Sequence, residues 1–343
     1  MGTIDTISEL LTLSQSQYRV FDIGRRIDKI SKSDFEKIEN NQLPYPYPLQ
    51  GHCHLALAFW QKNNKAPYLW FVKLPLDERG LLNQGARNHF IAIIVEALGK
   101  DLTVDPNEQQ EELLKSNPYH FTPAQYKLAS LNAKLTVELK HKASNFYEPT
   151  QLYFSGQLGW HEWQNIGVQG LADFSARINN PDNQQALLNA LPNLPSQVFN
   201  VLSSALENEV FDHKIIERLI SKFKQSTDSI EQQNTLRALA GNASHSLVKT
   251  FVENLLAQSE VDIDLLIIVS GRLWQSLDSP ALTMRYLTLI AQTNNDDLFA
   301  AIFKDMVSIP LLRPHVLGCL RSPERPEKLA EAIGGLFNTN KTQ

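Results

Sequence analysis

The chain has 343 residues, 43% of them hydrophobic and 20% charged, a balance that builds packed cores and excludes an extended disordered protein. Its formal net charge is -5, with acids and bases interleaved and no basic block, which argues against nucleic acid as a partner. The longest apolar runs, Phe90 to Val95 and Leu265 to Val269, are far shorter than the ~20 residues that span a bilayer, so no membrane segment is expected.

The length fits about two domains of ordinary size. Ile4, Ile7, Leu10, Leu11 and Ser14 keep helical spacing, and Tyr18 to Ile23, aromatic and β-branched, reads as extended. Ser33 followed by Glu36 has the spacing of a capping box and predicts a short helix through Phe35 and Ile38. Pro44, Pro46 and Pro48 break that helix and favour an extended path. A hairpin follows: His52 to Trp60, a polar turn from Gln61 to Pro67, and Tyr68 to Leu74. Both faces of the first of these strands are apolar, so both are expected to be covered. A charged loop, Asp77-Glu78-Arg79-Gly80, leads to an apolar helix from Ala86 to Leu98, stopped by Gly99. Asp101 to Pro118 reads as a polar connection with one helical piece. Thr122 and Pro123 read as N-cap and first residue of a helix running toward Lys140. Glu148 to Phe154 is expected to be a last strand.

From Pro195 onward the pattern changes to amphipathic helices. Val198, Val201, Leu202 and Leu206 share one face, as do Ile215, Ile216, Leu219, Ile220 and Phe223. Leu247, Val248, Phe251, Val252, Leu255 and Leu256 repeat the arrangement, and so do Leu298, Phe299, Ile302, Phe303 and Met306. Helix pairs start near Pro195, Ser229, Asp262 and Asp296, in steps of 34, 33 and 34 residues. A steady step of that size marks a helical-repeat array. The tetratricopeptide consensus is absent, and residues 195–337 resemble degenerate HEAT repeats. The fold class expected is therefore an α+β domain with a small antiparallel sheet over residues 1–190, then an all-α, HEAT-like repeat domain over 191–337, with a frayed tail at 338–343.

Phosphate loops, dinucleotide-binding glycine motifs and nucleophile elbows are missing from the sequence. His161-Glu162 opens like a metalloprotease helix, but Asn165 stands where the second histidine is needed. His52 and His54 share a strand face without further ligands, so no metal or cofactor is expected. Cys53 and Cys319 are two distant thiols, which fits a reduced compartment and small buried side chains. No basic region precedes an apolar run at the start, so no secretory leader is expected, and the Met1-Gly2 start lacks the second anchor that lipidation needs.

Two groups of charges stand out. Arg25 and Arg26, within Asp22-Ile23-Gly24-Arg25-Arg26-Ile27-Asp28, either pair locally with Asp22 and Asp28 or bind a carboxylate or phosphate. Arg87 and His89 occupy the first turn of a helix, the wrong end of the dipole for cations. They need compensation from Asp77, Glu78 or a bound anion, and with Arg25, Arg26 and Arg79 they are the anion-binding candidates. Trp160 and Trp163, between Gly159 and Gly167, are either a partner anchor or a plug at a domain boundary. Lys249 and Arg285, on second helices of the repeats, are the remaining candidates for partner contact.

Three strings carry a family resemblance: Tyr18-Arg19-Val20-Phe21-Asp22-Ile23-Gly24-Arg25-Arg26, Pro44-Tyr45-Pro46, and Trp70-Phe71-Val72-Lys73-Leu74-Pro75-Leu76-Asp77-Glu78-Arg79-Gly80-Leu81-Leu82. They resemble an uncharacterised family of proteobacterial proteins filed as a domain of unknown function. The resemblance implies a bacterial cytoplasmic protein and brings no activity, cofactor or catalytic residue with it. From the repeat pattern, the function expected is a non-catalytic adaptor or regulator that binds another protein; the alternative is an enzyme or anion-binding module in the N-terminal domain.

Overall fold

The alternation of Val, Phe, Leu and aromatic residues in the first third of the chain is realised as a four-stranded sheet. In the computed structural model, which describes residues 4–61, 66–99, 102 and 107–338, this part holds α1 (Ile7–Leu13), β1 (Gln17–Asp22), β2 (Asp28–Ile30), α2 (Lys32–Glu39), β3 (His52–Trp60), β4 (Tyr68–Pro75), α3 (Gln84–Leu98) and α4 (Glu108–Lys115). Residues 62–65 of the hairpin turn expected between β3 and β4, part of the polar connection after α3 and the tail beyond residue 338 lie outside the described residues. The strand order is β2-β1-β3-β4, all antiparallel, with Val20 opposite Leu57 and Leu57 opposite Trp70. Cys53, Leu55, Leu57 and Phe59 of β3 are buried in a core shared with Ile7, Leu10 and Leu11 of α1, Phe35 and Ile38 of α2, and Phe90, Ile91 and Ile94 of α3. Ala56 and Ala58, on the opposite face, are buried as well, so β3 is covered on both sides as its composition requires. Gly99 ends α3 at φ 66°, a conformation glycine adopts without a Cβ penalty.

Two helix starts differ from the expected ones. The N-cap of α2 is Ser31, whose side chain accepts from the Asp34 N–H at 3.0 Å, and Ser33 lies inside the first turn. Both serines have an acid three residues on, but β2 ends at Ile30, so Ser31 is the residue left in extended backbone. The helix after Pro123 begins at Gln125 with Ala124 as its N-cap and no side-chain cap bond. The chain stays extended longer because 119–121 is held along the β4 edge, Lys73 N–H donating to Tyr119 C=O at 2.7 Å.

The remaining helices are α5 (Gln125–Glu138), α6 (Tyr147–Phe154), α7 (Val168–Ala176), α8 (Pro181–Ala190), α9 (Ser196–Leu206), α10 (His213–Gln225), α11 (Ser229–Ala238), α12 (Ser246–Leu256), α13 (Ile263–Arg272), α14 (Pro280–Gln292), α15 (Asp296–Ser308), α16 (Arg313–Arg321) and α17 (Glu327–Asn338). By internal contacts the chain forms two units, residues 1–123 with 308–310 and residues 124–307 with 311–343.

The stretch expected as a last strand is the helix α6, which corrects that reading. Thr150, Tyr153 and Phe154, all buried, stand at i, i+3 and i+4 on one face of this helix. Phe154 stacks on Phe174 of α7 with ring centroids 4.2 Å apart, and Gly170 of α7 lies so close that an added Cβ would fall 2.2 Å from Thr150 Oγ1. Packing has overridden the strand preference of Thr, Tyr and Phe. Pro149 sits in the first turn, where no intrahelical N–H is lost.

The helices of the second unit pack in two rows. In one, α5 packs on α7, α7 on α9, α9 on α11 and α11 on α13. In the other, α6 packs on α8, α8 on α10, α10 on α12, α12 on α14 and α14 on α16, with α17 also against α14. Pro195 and Asp262 are the N-caps of α9 and α13, and Ser229 and Asp296 open α11 and α15, so the spacing read from the sequence marks real helix starts. The join between neighbouring pairs is tight: a Cβ on Gly241 would fall 2.1 Å from Glu209 C=O, and the Asn242 side chain accepts from Phe211 N–H at 3.1 Å.

Candidate protein-binding surface

A charged cluster ties three successive helices of the first row. Glu207, at the C-cap of α9, is fully buried. Arg237, in the last turn of α11, donates to both of its carboxylate oxygens, from Nε at 2.6 Å and Nη2 at 2.9 Å. Arg272, at the end of α13, adds a third bond from Nε at 3.2 Å. A bidentate guanidinium satisfies a buried carboxylate well, and removing it would strand the charge. The cations of α11 and α13 are thereby committed to the interior of the array.

The opposite ends of the same two helices face solvent. Ile230 of α11 is 60% exposed, and Ile263 and Ile267 of α13 are 43% and 42% exposed. Ile263 and Ile267 lie one turn apart on one stripe of α13. Gln233 of α11 donates to Asp264 of α13 at 3.1 Å and holds the two helices side by side. Asp228 and Asp262 cap α11 and α13, accepting from Ile230 N–H at 3.1 Å and Asp264 N–H at 2.8 Å. The face therefore combines exposed isoleucines with a carboxylate at each helix start.

Among the sequence candidates, Lys249 of α12 pairs with Asp278, and Arg285 of α14 donates from Nε to Leu256 C=O at 2.7 Å and from Nη2 to Gln258 C=O. Lys249 reaches the connection that leads into α14, and Arg285 closes the C-terminal end of α12, where a cation suits the dipole. Trp160 and Trp163 are half-buried on a 3-10 stretch, Trp160–Asn165, that is kinked at Glu162. Trp160 stands edge-on to Tyr153 of α6 at 5.5 Å, and the Tyr153 hydroxyl donates to Trp160 C=O at 3.1 Å.

The N-terminal candidates all lie in the first unit. Arg25 and Arg26 are buried; Arg25 donates from Nε to Pro48 C=O at 2.9 Å and Arg26 faces Asp28 at 3.4 Å. Asp22, also buried, accepts from the Tyr45 hydroxyl at 2.5 Å, and burial followed by the Asp22 charge holds that phenol well above its ordinary range. Arg79 is exposed and pairs with Asp77 at 3.4 Å. Arg87 is buried at the start of α3, where its Nη1 donates to the Glu39 carbonyl at the end of α2 and its Nη2 to Asn88 Oδ1 at 2.8 Å. Compensation for this cation comes from the C-terminus of α2 and not from Asp77, which Arg79 engages. The Glu39 carboxylate in turn accepts from Ile7 N–H at 2.6 Å and Ser8 N–H at 3.0 Å, capping α1. Burial raises its pKa, against the pull of those N–H groups and of Arg87. His89 is exposed, with Nδ1 3.1 Å from the Tyr119 hydroxyl. His52 and His54 have rings 6.4 Å apart, and among the described residues no group of three or more His, Cys, Asp or Glu is arranged to hold a metal. No helix of the described residues is long and apolar enough to cross a membrane.

Residue type does not separate Ile230, Ile263 and Ile267 from core isoleucines, so apolar periodicity does not single them out. The legible signal was an isoleucine in the first turn after each aspartate cap, Ile230 two residues after Asp228 and Ile263 next to Asp262.

A family model matches residues 2–337, nearly the whole chain. The chain belongs to the family described as protein of unknown function, DUF3549. The DUF3549 match thus spans both the sheet and the helical rows. No curated protein and no solved structure matches the chain.

Proposed function

We propose that this DUF3549 protein is a non-catalytic adaptor or regulator of the bacterial cytoplasm that holds another protein on its helical rows. The observation that carries the reading is the repeat itself. Helix pairs stacked at a step of 33 to 34 residues resemble degenerate HEAT repeats, and such stacks present a long surface without needing a pocket. The exposed isoleucines of α11 and α13 supply apolar contact area on that surface. An anion-binding or enzymatic site in the N-terminal part has less behind it, because Arg25, Arg26 and Arg87 are buried against acceptors of the same fold.

The test is affinity capture of the tagged full-length chain from a bacterial lysate, with quantitative mass spectrometry and reciprocal tagging of the retained protein. The expected result is one protein retained in both directions. Failure of every retained protein to bring the chain back would end the adaptor reading.

A further inference from the structure

The isoleucine face has a chemistry that selects its occupant. Single exposed apolar side chains are ordinary, but Ile230, Ile263 and Ile267 lie on two adjacent packed helices. Capping accounts for the aspartates at these helix starts; it does not account for β-branched residues, which lose rotamer freedom in a helix and here gain little burial. The stripe on α13 runs on to Gly271, where an added Cβ would meet nothing within 4 Å, so no internal packing calls for the missing side chain. The segments 226–236 and 258–271 contain Asp228, Glu231, Glu260, Asp262 and Asp264 and no lysine or arginine. Lys222 reaches Glu231 and Gln233 reaches Asp264, while Asp228, Glu260 and Asp262 remain exposed. Arg237 and Arg272 are turned to Glu207.

We infer that this face docks a basic amphipathic helix of a partner protein, with its apolar stripe over the three isoleucines and its lysines or arginines against Asp228, Glu260 and Asp262. The inference rests on the adaptor reading and names the partner's chemistry. A helix suits the site because apolar contacts repeat along α13 at the one-turn spacing that a partner helix also presents. A basic one suits it because Asp228, Glu260 and Asp262 are exposed and form no ion pair among the described residues, while in a second copy the apolar stripe of the basic helix α10 is already buried in its own fold.

The probe is a labelled leucine/lysine peptide of about 18 residues, long enough to hold a helix, beside its leucine/glutamate counterpart. Binding to the full-length chain is read by fluorescence anisotropy. The wild type should bind the lysine peptide, and Ile230→Ser/Ile267→Ser should bind it at least about tenfold more weakly, with unchanged circular dichroism. Glu260→Lys, at an exposed position, should also weaken binding, with a difference that shrinks as salt is raised. Equal affinity for the wild type and the double variant, or equal binding of the glutamate peptide, overturns the inference. The lysate capture separates the two levels. A partner retained equally by wild type and double variant removes this face and leaves the adaptor reading standing; no reciprocal partner of the wild type removes both.

Discussion

Arg237→Met is the sharpest test of how the helical rows are held together. The substitution keeps an apolar stem and deletes the guanidinium that satisfies both oxygens of Glu207, a side chain with no solvent exposure. Breaking a buried ion pair costs roughly 3–5 kcal/mol, because the surviving charge is left in a poor environment. Arg272 remains 3.2 Å from one oxygen, so the lower end, about 3 kcal/mol, is expected. For a unit of this size that corresponds to a fall in Tm of about 6–12 °C. The paired variant Glu207→Met/Arg237→Met removes the stranded charge and should recover most of the loss, since apolar replacement of a buried pair is often near neutral. Urea unfolding followed by circular dichroism, with the slope checked between variants, measures both. A single variant within about 0.5 kcal/mol of wild type, or a double variant no better than the single one, would refute the assignment of Glu207 as a buried, charge-dependent tie.

Three further outcomes follow from the geometry. Gly241→Ala should destabilise by about 2 kcal/mol or more, because its Cβ would meet backbone at 2.1 Å, whereas Gly271→Ala meets nothing and should stabilise by up to about 1 kcal/mol; thermal unfolding of the pair reads the contrast. Burial raises the Glu39 pKa, so its contribution is fully present below the unfolded carboxylate value of about 4.3 and is lost as pH rises through the folded value. Stability of the wild type relative to Glu39→Gln should therefore decline on going from about pH 4 upward, and a flat difference in urea midpoints would contradict it. Cys53 is fully buried with its thiol pushed up to about 12, and Cys319 is buried with a raised thiol too, so neither should react with a thiol reagent until the chain is unfolded; prompt native-state titration of either would contradict its placement.

What the sequence determined by itself is the local structure whose cause is local. The strands around Val20, Leu57 and Val72, the stop at Gly99 and the helix starts at 195, 229, 262 and 296 follow from side-chain periodicity, caps and breakers, and these act over a few residues. Tertiary packing decided the rest. Thr150, Tyr153 and Phe154 carry strand preferences, yet stacking on Phe174 over Gly170 makes them a helix, and nothing within Glu148–Phe154 announces that neighbour. Arg87 reads in sequence as a cation compensated by Asp77, Glu78 or a bound anion, because its actual partner, the carbonyl end of α2, is 48 residues away in sequence. Ile230, Ile263 and Ile267 are indistinguishable by type from core residues; only the side-by-side packing of α11 and α13 decides that they face water. Burial is a property of the assembled rows, and a residue's own neighbours in sequence do not set it.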